Sequence, residues 1–188
     1  MKLSILICHL EDRIEQLQRL RNILTPQLST DVEIIVEGDR AILPTGTKRN
    51  MLLDRALGDY ICFIDDDDTV PDYYVQEILK AIVPDKDGYQ PDVVGIQGHY
   101  FHAGNPPEVF IHSTRYDHWY SEGGVHCRPP NHLNPVKRAM AIKAKFPDEK
   151  IGEDHEYSNR LVGLLRDDPE FPGREVFIEP IMYNYYSR

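Results

Sequence analysis

The sequence predicts an α/β fold built on a mostly parallel sheet. Apolar strand-length runs alternate with helical stripes through the first half, which implies right-handed β-α-β crossovers. Tyr60-Ile61-Cys62-Phe63-Ile64 is apolar throughout and bounded by Gly58 and Pro71, as in a strand buried on both faces. Four consecutive carboxylates, Asp65 to Asp68, stand at its C-terminal end. In open α/β sheets ligands sit outside that edge.

Leu3 to Cys8 reads as a first buried strand. Glu11 to Leu24 carries a stripe of Ile14, Leu17, Leu20 and Leu24, with acids leading and Arg19 and Arg21 trailing, as the helix dipole favours. Val32 to Val36 forms a second strand that delivers Glu37, Gly38 and Asp39 to the same sheet edge. A short helix from about Lys48 to Leu57 follows, with Gly58 as its C-cap. After the acids, Pro71 pre-sets a helix striped by Val75, Ile78, Leu79 and Ile82. Asp92 to Gln97 is a further strand.

From His99 to Pro130 the chain is rich in Tyr, His, Gly and Pro, which predicts small antiparallel strands and loops. Asn134 to Arg138 leads into a short helix, and Gly152-Glu153-Asp154 opens another striped by Tyr157, Leu161 and Leu164. Val176 to Ile178 and Ile181 to Tyr186 read as one strand or a pair. The 188 residues fit a single domain, residues 1–98 forming a nucleotide-binding half and 99–188 a substrate-side half.

A net charge of -10 argues against broad nucleic-acid or membrane-surface binding. Cys8, Cys62 and Cys127 are too few for a disulfide framework or a zinc site. Met1 to Cys8 is too short for a signal peptide, and no apolar run approaches membrane length. The expected location is the cytoplasm.

Four adjacent carboxylates repel one another and raise one another's pKa values unless a cation is present. Their hard oxygens suit Mg²⁺ or Mn²⁺. The bland alternative is a solvated acidic turn, but such a turn needs no apolar strand leading into it. His132 is a candidate third metal ligand or phosphate contact, although a lone loop histidine is more often solvent-exposed or bonded to backbone. Lys137 and Arg138 read as diphosphate contacts or as surface charges. Tyr100, Phe101, Tyr116, Trp119 and Tyr120 read as a stacking surface for a sugar or base, or as a small core.

Gly46-Thr47-Lys48-Arg49-Asn50, Ala56 to Ile61, Phe63 to Asp68 and Gly152-Glu153-Asp154 together resemble the successive signatures of glycosyltransferase family 2. The resemblance runs from Ser4 to about Leu165. It implies the Rossmann-like GT-A fold with a small acceptor-side region, and a metal-dependent inverting transfer from a nucleotide-diphosphate sugar, UDP-linked by family habit. By position, Asp39 and Arg49 would lie near the nucleotide. Asp65 and Asp67 match the Asp-x-Asp pair, one towards ribose and one towards metal. Asp66 and Asp68 share that spacing, so Asp66 stays on the nucleotide side and Asp68 among the metal candidates. Asp154 matches the catalytic base, with Glu153 orienting it or binding the acceptor hydroxyl. The acceptor is open among glycan, protein, small molecule and modified nucleobase.

Two alternatives share the acidic run. Asp65-Asp66-Asp67-Asp68-Thr69-Val70 also fits the first motif of haloacid-dehalogenase phosphatases, with Asp65 as nucleophile and Asp67 as acid/base. A non-catalytic nucleotide-sugar-binding module would keep the acids and need no base.

Overall fold

The computed structural model describes residues 1–187. Its strands are β1 (Leu3–Leu10), β2 (Val32–Asp39), β3 (Tyr60–Phe63), β4 (Val93–Phe101), β5 (Glu108–His112), β6 (Tyr120–Glu122), β7 (Val125–Arg128), β8 (Val136–Lys137) and β9 (Glu175–Tyr186). Its α-helices are α1 (Ile14–Leu24), α2 (Thr45–Arg55), α3 (Tyr74–Ala81), α4 (Arg138–Ala144) and α5 (Glu153–Asp167).

All nine strands join one sheet in the order β2-β1-β3-β8-β4-β5-β7-β6, with β9 alongside β4. The β1·β2, β1·β3, β4·β9 and β5·β7 pairs are parallel. The antiparallel pairs are β3·β8, β4·β5, β4·β8 and β6·β7. The expected α/β architecture is present, with its antiparallel part in the second half.

Alternation along β1 explains why a nearly unbroken apolar run is needed there. Leu3, Ile5 and Ile7 join Leu17, Leu20 and Leu24 of α1 and Tyr74, Val75 and Ile78 of α3 in one core. Leu6 and Cys8 face the opposite core with Leu52 and Leu53 of α2, Met140 and Ala141 of α4, and Tyr157 and Leu161 of α5. Helices therefore cover both faces, and the open edge at the strand C-termini remains for chemistry.

Several local expectations differ in detail. Glu11–Arg13 form a 3₁₀ turn, and α1 begins only at Ile14. Helix α2 starts at Thr45 and ends at Arg55, with Ala56 extended, so Gly58 is not its left-handed cap. Gly58 is small for another reason: a Cβ there would lie 2.6 Å from the Ser4 amide nitrogen. Pro71 precedes α3 in a turn whose carbonyl accepts the Tyr74 amide. The tail is one twelve-residue strand, bulged where it passes Gly95 to Gly98 of β4.

Candidate active site

Beyond β3 the four acids divide by direction. Asp66 is buried, and accepts hydrogen bonds from the Leu10 amide at 2.9 Å and Arg13 Nη1 at 3.0 Å, with His9 Nδ1 at 2.9 Å. Asp68 is also buried; it accepts from the Tyr183 hydroxyl at 2.8 Å and the Tyr186 amide at 2.9 Å. These two carboxylates tie the acidic loop to β1 and β9. Asp65 and Asp67 line an open cavity of about 440 Å³, together with Arg13, Lys48, Arg49 and Glu153.

Arg49 is, with Lys48, a buried cation of this cavity. Its Nη2 donates to Asp65 Oδ1 at 3.0 Å, and its Nε lies 3.5 Å from Glu153 Oε1. The guanidinium packs 5.1 Å from the Phe63 ring centroid and 5.5 Å from that of Phe146. Nε and Nη1 have no hydrogen-bond partner. A buried donor without an acceptor costs free energy, so Nη1 is suited to an anionic ligand oxygen. Burial alone would raise the Asp65 pKa, yet Arg49 and His132 beside it hold the carboxyl well below the usual carboxylate range. Burial lifts Glu153 above its ordinary value against the opposing pull of Arg49. Asp67 is raised as well, burial outweighing Arg13, whose Nη1 lies 3.1 Å from its Oδ2.

Asp39 does not line the cavity. It accepts hydrogen bonds from the amides of Ala41, Ile42 and Leu43 and pairs with Lys48 Nζ at 2.7 Å. Burial opposes ionisation, but Lys48 and the loop amides bring its pKa down to about 2. Asp39 thus holds Lys48, which does line the cavity. Lys137 and Arg138 lie elsewhere: Lys137 pairs with Asp92 at 2.7 Å, and Arg138 Nε donates to the Gly58 carbonyl at the opposite sheet edge.

A second cavity of about 210 Å³ adjoins the first, sharing Tyr185 as a wall. Asp154 lines it with His132, Trp119, Arg128, Tyr100 and His112. The backbone sets the split between Glu153 and Asp154. Gly152, at φ 86°, turns the chain into α5, and the two side chains then project to different cavities. His132 is buried, and its Nε2 sits 3.5 Å from Asp65 Oδ2 with neither ring nitrogen hydrogen-bonded. Burial, with Arg128 nearby, holds His112 well below its usual pKa, as neutral imidazole. Of the expected aromatics, Tyr100 and Trp119 wall this cavity, whereas Phe101 stacks on Tyr186 and Tyr116 meets Tyr120 edge-on.

Among the described residues no three His, Cys, Asp or Glu side chains converge as a ready cage for a metal ion. Asp65 and Asp67 still offer the donor set of a cation completed by phosphate oxygens, since Mg²⁺ is commonly held by one or two carboxylates plus substrate phosphates. Arg13, Tyr183, Tyr185 and Arg128 escaped the sequence reading. Arg13 follows the first strand in no recognisable motif, and Tyr183 and Tyr185 lie more than a hundred residues from the acids they approach.

The family model for glycosyl transferase family 2 matches residues 44–146, more than half of the chain. The chain belongs to glycosyl transferase family 2. That membership sets aside the phosphatase alternative. No curated protein matches the chain. Among solved structures, S. aureus TarS 1-349 in complex with UDP-GlcNAc superposes with a TM-score of 0.72 at 16% identity, covering 100% of this chain and 59% of that one. The complex of TarS 1-349 with UDP gives 0.72 at 17% identity, covering 100% and 61%. The longer TarS structure gives 0.70 at 16% identity, with 37% of its length covered. This family 2 chain therefore shares the fold of TarS and spans about three fifths of the 1-349 structures. None of its described helices is long and apolar enough to cross a membrane.

Proposed function

We propose that this family 2 protein transfers a glycosyl group from a nucleotide-diphosphate sugar to an acceptor hydroxyl, with inversion at the anomeric carbon. The observation that carries this reading is the pairing of two adjoining cavities. One holds Asp65, Asp67 and the under-bonded Arg49; the other holds Asp154. The TarS structures bound to UDP and UDP-GlcNAc support a UDP-linked donor.

In this reading the nucleotide and its diphosphate occupy the larger cavity. Arg49 Nη1 and Lys48 bind diphosphate oxygens, and Asp65 and Asp67 would hold a divalent cation such as Mn²⁺ or Mg²⁺. A bound cation supplies neutralisation of the charge that develops on the leaving diphosphate. On the nucleotide side Arg49, Asp65 and Asp66 line the cavity, and Asp39 acts only by holding Lys48. Asp66 acts by orienting Arg13 and the loop, and Asp68 by anchoring that loop to β9. His132, between Asp65 and the smaller cavity, contacts the transferred sugar or its phosphate. Asp154 takes the proton of the acceptor hydroxyl as that oxygen attacks the anomeric carbon. Glu153 holds Arg49 in place. One base and a single displacement give inversion.

Thermal unfolding with Mn²⁺ alone, UDP alone and both together tests the donor site. A ligand at about 100 times its Kd adds about 2.7 kcal/mol. For a domain of this size that raises the midpoint by about 5–10 °C. A shift that needs both ligands and disappears in Asp67→Asn is the expected result. Absence of any shift with UDP overturns the UDP-sugar reading.

A further inference from the structure

We infer that the smaller cavity accepts a substrate bearing an anionic group, a carboxylate or phosphate, which Arg128 binds. The inference rests on the glycosyltransferase reading and names the class of substrate that reaches Asp154. Arg128 comes from β7 and is half-buried. Its guanidinium carbon lies over the Trp119 ring, 4.3 Å from the centroid, a cation–π contact that helps hold it in place. Among the described residues it makes no ion pair: Asp154 shares the cavity but stays beyond ion-pair distance, and Glu108 is taken by His126 Nε2 at 2.7 Å. A half-buried guanidinium that no carboxylate engages keeps its donors available for a ligand oxyanion.

Independent polar groups face the same space. His112 and His132 are each at least 95% buried, and neither ring has a hydrogen-bonded nitrogen. Trp119 Nε1 is likewise buried and unbonded. Imidazole and indole groups suit hydroxyls, whereas the guanidinium suits an oxyanion. Together they describe a hydroxyl-rich molecule with one charged substituent, carried by either the donor sugar or the acceptor.

Calorimetric titration of the whole chain with Mn²⁺ distinguishes the two sources. One probe pair is UDP-glucuronic acid against UDP-glucose. The other is glucose 6-phosphate against glucose, each measured with and without UDP. The charged member of one pair should bind about tenfold more tightly, and Arg128→Gln should reduce that preference to about twofold without changing UDP affinity. Arg128→Lys, which keeps the charge and most of the apolar stem, should retain part of the preference, and melting midpoints verify that each variant folds. The pair that shows the preference assigns the anion to donor or acceptor. Equal affinities within both pairs, or a preference that survives in Arg128→Gln, overturn the inference. Loss of UDP binding with retained preference for glucose 6-phosphate would instead sink the glycosyltransferase reading alone.

Discussion

The Tyr183 hydroxyl donates to Asp68 Oδ2 at 2.8 Å and accepts the Asp65 backbone amide at 3.1 Å. One phenol from the last strand thus holds both ends of the acidic run. It keeps Asp68 in the interior while Asp65 faces the larger cavity. Removing that hydroxyl leaves a buried carboxyl group and an amide short of partners, which costs about 1–3 kcal/mol. Tyr183→Phe should therefore lower the melting midpoint and weaken UDP binding together. Unchanged UDP affinity in a destabilised variant would show that the phenol supports the fold without positioning Asp65.

Burial, reinforced by the neighbouring Asp65 charge, pushes Asp68 up from 3.8 to about 8. Between those values the folded state keeps a proton that the unfolded state has released. The stability due to that proton is complete below about pH 4 and is lost as pH rises through about 8, at no more than about 1.4 kcal/mol per pH unit. Asp68→Asn mimics the protonated acid and should remove this slope. Urea unfolding without added metal should find variant and wild type alike near pH 4, and the variant more stable near pH 8.

Asp154→Asn should reduce turnover by about a hundred- to ten-thousand-fold, the span typical of a lost general base, with UDP affinity intact. Glu153→Gln should behave differently, because Glu153 faces Arg49 and the other cavity. Its expected effect is weaker UDP binding with a smaller loss of turnover. Single-turnover kinetics beside equilibrium binding separate the two, and an Asp154→Asn variant with full turnover would end the assignment of the base.

Arg49→Met should remove the charge but keep apolar contact with Phe63 and Phe146. Breaking a buried pair from one side costs about 3–5 kcal/mol, because Asp65 is left partly buried without its cation. UDP should bind more weakly as well. Tight UDP binding to a folded Arg49→Met protein would show that Nη1 does not meet the diphosphate.

Gly46→Ala tests how α2 is seated. A Cβ there would lie 1.8 Å from the Pro147 carbonyl oxygen, and the Gly46 amide already donates to the Glu149 carbonyl at 3.0 Å. Backbone must move, at a typical overpacking cost of about 1–3 kcal/mol. The displaced segment leads directly into Glu153 and Asp154, so turnover should fall with the midpoint. A variant of wild-type stability would show that the 147–149 segment yields freely.

Local sequence alone determined the β-α alternation, the doubly buried β1 and β3, and the placement of acids beyond the sheet edge. Each depends on hydrophobic period and on turn residues acting over a few positions. The helix start at Glu153 was also legible, because acids favour a helix N-terminus, and α5 begins there. What the acids do was decided by tertiary structure. Asp65 to Asp68 are chemically identical, and it is His9, Leu10, Arg13, Tyr183 and Tyr186, brought in by long-range contacts, that bury Asp66 and Asp68, whereas Asp65 and Asp67 stay more open to the cavity. The same holds for Asp39, which Lys48 and three loop amides occupy. It holds for Lys137 and Arg138 too, which the antiparallel entry of β8 carries to the opposite end of β3. A side chain's charge is local information, but its partner depends on which distant strand arrives beside it.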